Sequence, residues 1–237
     1  MKATRTWQST VGRKVIMAVT GLLLTAFLIS HLAANLLLFL PDGGRTYNLY
    51  SYKLHQLQPW LNLARAALLI FFLSHVVSGI KVSLTNRRAR KSRYAVQATK
   101  GGPSKLTAAS RSMIVSGLVL LVFVPIHVFM FSMGPYYPTV IDGQPMRDLY
   151  QLVIEKFNMP GVALGYAATM LILGAHLRHG FWSALQSLAA MSRRWSPVVY
   201  SFGLVFAVLL AGGFVILPLY VLAFVPVPQA VAMGGGL

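Results

Sequence analysis

The chain contains no cysteine. That absence excludes disulfides, cysteine-ligated iron–sulfur clusters and attachment of haem through a C-x-x-C-H motif. Any metal chemistry here rests on histidine, methionine or oxygen ligands. Acid is scarce as well: 4 Asp and Glu stand against 21 Lys and Arg, a formal net charge of +17. Charged residues of both signs make up only 11% of the chain, far below the roughly 25% with which a soluble domain covers its surface. No GxGxxG or P-loop motif is present, so the common glycine-rich nucleotide cradles are missing. A balance this basic fits nucleic-acid binding in other chains. Here the basic residues lie between long apolar runs rather than along one face, and nucleic acid is excluded as a partner.

What the chain has instead is apolar length. Hydrophobic residues make up 56% of it and the mean hydropathy is +0.65. Five stretches of the length that crosses a bilayer are expected as helices, at 15–40, 60–84, 112–133, 160–182 and 197–225. The first is too long in its apolar region for a cleaved signal peptide. The fold class expected is an all-α integral membrane protein, one transmembrane domain over 1–237. Lys2, Arg5, Arg13, Lys14, the run from Arg87 to Arg111, and Arg193 and Arg194 fall at alternate connections. Asp42, Asp142, Asp148 and Glu155 fall in the other two loops. Cytoplasmic loops carry the excess of Lys and Arg, so the N-terminus is expected inside and the C-terminus outside. Arg87-Arg88-Ala89-Arg90-Lys91-Ser92-Arg93 reads as a topology signal in contact with anionic lipid, and as a platform for a soluble partner.

Five of the six histidines lie in spans; His55 is in a loop. Ionisable residues inside a membrane are costly and mark function. Depth sorts them. His31 lies 17 residues after Lys14 and His127 lies 16 after Arg111, both on outward-running helices, so at ~1.5 Å per residue each is ~24–25 Å from the inner face. His75 lies 16 residues after Pro59 and His176 lies 16 after Pro160, both on inward-running helices. Four helices thus offer two imidazoles in the outer half and two in the inner half. A single membrane histidine is as readily a helix–helix hydrogen bond as a ligand. Four at paired depths match two stacked haems, each with two axial imidazoles, a six-coordinate arrangement suited to electron transfer.

The spacing also hints at a repeat. Gly21 precedes His31 by ten residues as Gly117 precedes His127, and His75-Val76-Val77-Ser78-Gly79 parallels His176-Leu177-Arg178-His179-Gly180. A glycine one turn beyond a ligand leaves room for a flat macrocycle. The parallel favours His176 over His179 as ligand, with His179 the alternative.

Ser9-Thr10-Val11-Gly12-Arg13-Lys14, then Thr20-Gly21, then His31-Leu32-Ala33-Ala34-Asn35-Leu36 resembles the start of a cytochrome b subunit. The family is the membrane anchor of succinate:quinone oxidoreductases (succinate dehydrogenase and fumarate reductase), in its single-chain, five-helix, two-haem form. His176-Leu177-Arg178-His179-Gly180-Phe181-Trp182-Ser183-Ala184 resembles that family's fourth-helix motif. The resemblance implies a relay in the bacterial inner membrane. An iron–sulfur subunit and a flavoprotein subunit would sit on the cytoplasmic face, the latter carrying the dicarboxylate chemistry. This chain would pass electrons through two haem b groups to a quinone. By position, His75 and His176 would ligate the inner haem, and His31 and His127 the outer.

Buried propionates need cationic or hydrogen-bonding partners. Arg13, Lys81, Arg178 and His179 are the inner candidates, and Arg45, Lys53 and Arg65 are nearest on the outer side. Asn35, one turn beyond His31, is a candidate contact for the outer haem or a quinone. A quinone headgroup needs hydrogen bonds and a proton route. Tyr50, Lys53, His55 and Gln56 offer one site outside; Ser78, His179 and Trp182 offer one inside. The membrane subunit of respiratory nitrate reductase also has five spans and two haems, but takes its ligands from two helices and fits poorly. The alternative from another class is a transporter or assembly scaffold without haem. Transporters break helices around a midplane site, and Pro125 and Pro218 interrupt spans here, though without a cluster of intramembrane charge.

Overall fold

A bilayer leaves backbone groups no water to bond, so an apolar chain of this kind satisfies them within helices. The structure, a computed structural model, describes residues 9–89, 112–192 and 194–227. Five helices in it are long and apolar enough to cross a membrane. These are α1 (Thr10–Asn35, prolonged by a 3-10 turn at Leu36–Phe39), α3 (Trp60–Arg88), α4 (Met113–Phe131), α6 (Pro160–Ser187) and α7 (Ser196–Phe224). Two short helices join them: α2 (Arg45–Gln56) between α1 and α3, and α5 (Leu149–Phe157) between α4 and α6. The spans expected from sequence match within a few residues. The largest differences are α1, which starts five residues earlier on a Ser9 cap whose Oγ accepts from Gly12 N at 3.0 Å, and α6, which runs five residues further.

The loops α1–α3 and α4–α6 share one end of the bundle, here the cap end. No element was expected there from the sequence. Asp142-Gly143, with φ of 53° and 73°, makes the tight turn that this dipeptide favours. It pairs β1 (Pro138–Ile141) with β2 (Gln144–Arg147), with Ile141 opposite Gln144. The two loops are tied together by polar contacts. Asp148 Oδ1 caps α5 by accepting from Gln151 N and takes a second bond from Asn48 Nδ2, both at 2.8 Å. Asn48 Oδ1 accepts from Tyr150 N at 2.9 Å. Arg45 and Asp142 form an exposed ion pair at 2.6 Å, of a kind worth about 0–1 kcal/mol. Glu155 accepts from Tyr137 and from Lys156. Burial raises the Glu155 pKa, but those two hydrogen bonds outweigh it and hold the carboxyl below its ordinary range. The opposite end, the basic end, carries Lys14, Arg87, Arg88 and Arg194. Lys2, Arg5, Arg90, Lys91, Arg93, Arg111 and Arg193 lie outside the described residues.

Packing inside the bundle is uneven. Helices α6 and α7 share the most extensive contact, followed by α1 with α3, whereas α3 and α4 barely meet. The α6–α7 approach is close: a Cβ on Gly174 would lie 2.9 Å from that of Ala211, the small-residue packing membrane helices use where no hydrophobic drive exists. The buried cluster follows this contact and continues under α5, with Ile154, Phe157, Tyr166, Met170, Leu173, Leu210, Leu217 and Val221 among its members. Only Ser116 is buried on α4. Helices α1, α3, α4 and α6 therefore ring a space that side chains do not fill.

Candidate functional site

That space is a cavity of about 1690 Å³. Protein interiors hold few voids larger than a water molecule, and a site for one small molecule or cofactor takes about 300–1,000 Å³. This cavity exceeds one such site. Its walls are mostly aliphatic and aromatic, and α7 closes one side with Phe214, Leu217 and Pro218.

His31, His75, His127 and His176 all line it. They meet in two pairs. The rings of His31 and His127 have centroids 5.8 Å apart with planes at 84°; those of His75 and His176 are 6.3 Å apart at 66°. His179 does not join a pair: its ring lies 6.2 Å from that of Trp182. Of the two histidines on α6, His176 is the one that faces His75.

Hydrogen bonds fix the rings of the second pair. His75 Nδ1 lies 3.0 Å from the Met17 carbonyl and 3.5 Å from Thr20 Oγ1. A carbonyl only accepts, and the Thr20 hydroxyl already donates to Ile16 O at 2.7 Å. The proton between them therefore belongs to His75 Nδ1. His176 Nδ1 lies 3.0 Å from Ser116 Oγ, which also lies 3.1 Å from Met113 O. A hydroxyl that gives its hydrogen to that carbonyl accepts from His176 Nδ1. His75 Nε2 is left as a bare lone pair, the form in which imidazole ligates a metal while its other nitrogen is held by an outer partner, and His176 takes the same form when Ser116 bonds Met113 O. In the other pair His127 Nδ1 lies 3.4 Å from the Tyr166 hydroxyl, which also reaches Met130 Sδ at 3.7 Å. Neither ring nitrogen of His31 meets a hydrogen-bond partner among the described residues. Its ring stacks on Phe27 at 5.3 Å, as His127 stacks on Phe123 at 5.8 Å.

These contacts lengthen the repeat. Met17, Thr20, Gly21, Phe27 and His31 on α1 recur as Met113, Ser116, Gly117, Phe123 and His127 on α4, each 96 residues on. The glycines keep their role as well: Gly21 lies against His75 and Gly117 against His176. The glycine–histidine spacing was readable in sequence. The Thr20 and Ser116 hydroxyls were equally visible there, one residue before each glycine, and sequence reasoning passed over them.

Charge gathers at the cavity's two ends. Lys14, Ser83, Asn86, Arg87, Gln186 and His179 line the basic end, and Asn35 and Arg65 the cap end. Of the inner cationic candidates only His179 reaches the cavity. Arg13 and the exposed Lys81 do not line it, and Arg178 sits over the Tyr200 ring at 5.8 Å; Lys14 and Arg87 stand in their place. Asn35 bonds back to His31 O at 2.8 Å and accepts from Tyr47 OH at 3.4 Å. Tyr50 and Lys53 are exposed on α2. His55, also exposed, donates from Nδ1 to Ser51 O at 2.8 Å and accepts at Nε2 from Arg65 at 3.3 Å. Ser78 and Trp182 are buried outside the cavity lining, and Trp182 Nε1 has no hydrogen-bond partner among the described residues.

Among the described residues no group of three or more His, Asp or Glu converges, so none builds a closed tetrahedral centre of the structural zinc kind. The histidines come in twos, which suits a metal whose other ligands arrive with it. No family model matches the chain, and neither does any curated protein or solved structure. The fold and site together define a class: a five-helix, multi-pass membrane protein enclosing a cavity lined by two imidazole pairs.

Proposed function

We propose that the chain is a di-haem cytochrome b anchor that relays electrons between an iron–sulfur subunit and a membrane quinone, in a succinate:quinone oxidoreductase. The observation that carries this reading is the separation of the paired rings. An imidazole nitrogen ligates a transition metal at about 2.0–2.1 Å and lies about 1.1 Å from its ring centroid, so two imidazoles on opposite sides of one ion have centroids about 6.3 Å apart. The two pairs have 6.3 Å and 5.8 Å. A haem would bring the metal ligands that the protein does not supply, and the cavity exceeds the volume of one cofactor site.

His75 and His176 would hold the haem at the basic end, and His31 and His127 the one at the cap end. Bound haem iron supplies reversible one-electron transfer. The chain's own residues do the rest. The aliphatic walls exclude water, and the bonds to Met17 O and Ser116 Oγ set the ring orientations. Lys14 and Arg87 at one end and Arg65 and Asn35 at the other offer charge and hydrogen bonds to carboxylates. Neither quinone set gathers at the cavity: of the inner set only His179 lines it, and of the outer set the exposed His55 reaches it through its bond to Arg65.

The distribution of Lys and Arg supports a cytoplasmic basic end; the family resemblance implies the bacterial inner membrane. The iron–sulfur and flavoprotein subunits would dock there against Arg87, Arg88 and Arg194. A redox-titrated visible spectrum of the purified protein, with pyridine-haemochrome quantitation, tests the reading. Two low-spin haem b groups per chain, with two potentials, are expected. Folded protein from haem-replete cells with no haem would overturn it in favour of a transporter or scaffold.

A further inference from the structure

We infer that Ser116 is the positioning residue for His176, and that its counterpart Thr20 is dispensable for His75. The inference rests on the di-haem reading and assigns which residue sets the protonated nitrogen of each basic-end imidazole.

A neutral imidazole ligates through one nitrogen only if its proton sits on the other. His75 has two acceptors for that proton, the Met17 carbonyl at 3.0 Å and Thr20 Oγ1 at 3.5 Å. The nearer one is backbone and survives any side-chain substitution. Among the described residues His176 has one, Ser116 Oγ at 3.0 Å. Ser116 is buried at 6% exposure, and Met113 O, 3.1 Å from its Oγ, can take the hydroxyl hydrogen, which leaves the oxygen to accept from His176 Nδ1 when that ring ligates through Nε2. The glycines explain why the two rings are held differently. A Cβ on Gly21 would lie 3.0 Å from His75 Cε1, whereas one on Gly117 would lie 3.6 Å from His176 Cε1. His75 thus lies close enough to α1 to reach its backbone. His176 stands further from α4, and a side-chain oxygen spans the gap.

Removing an outer partner of a metal-bound histidine lowers metal affinity or activity about 10–100-fold. Ser116→Val and Ser116→Thr test the role together, because they match in shape and differ in the acceptor; Thr20→Val is the control. The readouts are haem per chain, the low-spin electron paramagnetic resonance signature and the potential of each haem. Ser116→Val is expected to lose or shift one of the two haem signals by such a factor. Ser116→Thr should restore it, and Thr20→Val should leave both signals as in the parent. The other signal, from His31 and His127, reports that the bundle is intact. Equal behaviour of Ser116→Val and Ser116→Thr would overturn the inference while leaving the di-haem reading standing. So would equal damage from Thr20→Val and Ser116→Val. Parent protein without haem would overturn both.

Discussion

Two halves of this molecule are built from the same parts and seat their histidines differently. Helices α1 and α3 carry Met17, Thr20, Gly21, His31 and His75; helices α4 and α6 carry Met113, Ser116, Gly117, His127 and His176. In the first half the helices press together until a ring lies on a glycine and reaches a backbone carbonyl. In the second, α6 packs tightly on α7 where Gly174 meets Ala211 and stands further off α4, so a serine hydroxyl makes the contact. A repeated motif sets which groups are at hand. The distance between helices, fixed by what packs behind them, decides which group is used.

The largest effect expected is from removing a ligand. On the di-haem reading, His75→Ala or His176→Ala should reduce haem from two per chain to one, with the His31/His127 signal kept, because the pairs are separate along the cavity. His31→Ala or His127→Ala should do the converse. Pyridine-haemochrome quantitation with the redox titration reads this directly. Loss of both haems from one substitution would show that the two levels are not independent units.

Next comes the tight seat itself. Gly21→Ala places a methyl 3.0 Å from His75 Cε1, inside a normal contact and against a ring held by the Met17 carbonyl. Overpacking of this kind costs about 1–3 kcal/mol, partly offset by the 0.5–1 kcal/mol or so that alanine gains over glycine in a helix. At Gly117 the same methyl makes an ordinary contact at 3.6 Å, so only the helix gain remains. Gly21→Ala should lower the thermal midpoint and haem retention in detergent, and Gly117→Ala should leave them level or slightly raised. If both variants behave alike, the difference in helix approach does not hold.

Much of this was legible in the sequence, and for physical reasons. A span is a local property: about 20 uncharged residues admit little else in a bilayer, and the five helices lie where their apolar runs do. Histidine depth follows from the fixed rise of a helix, which is how His31 was matched with His127 and His75 with His176 before any packing was known. Lateral geometry was not legible. Arg13, Lys81 and Arg178 were chosen by depth alone, and helix rotation turns them from the cavity while bringing Lys14 and Arg87 to it; Arg65, an outer candidate in sequence, does line it. The hairpin at the cap end was written in Asp142-Gly143, a strong local signal, and was missed beside the larger pattern. The tie between α2 and α5 through Asn48 and Asp148 joins residues 100 apart, and no local pattern announces it.

The smallest effect tests the level where the halves diverge most. Tyr166 stands ten residues before His176 as Arg65 stands ten before His75. One is a phenol that meets His127 at 3.4 Å; the other is a cation bonded to His55, leaving His31 without a comparable contact. Tyr166 also sits among aromatic rings, 4.9 Å from Phe123 and 5.2 Å from Phe157, and phenylalanine preserves that packing. Tyr166→Phe should therefore keep two haems and the parent stability. Its one expected consequence is at the cap end, where a long hydrogen bond is lost. That is worth under about 1 kcal/mol, or roughly 40 mV on a one-electron potential at 59 mV per tenfold change. The basic-end potential should stay where it is. A shift confined to the basic-end haem would show that the Tyr166–His127 contact does not act at the cap end.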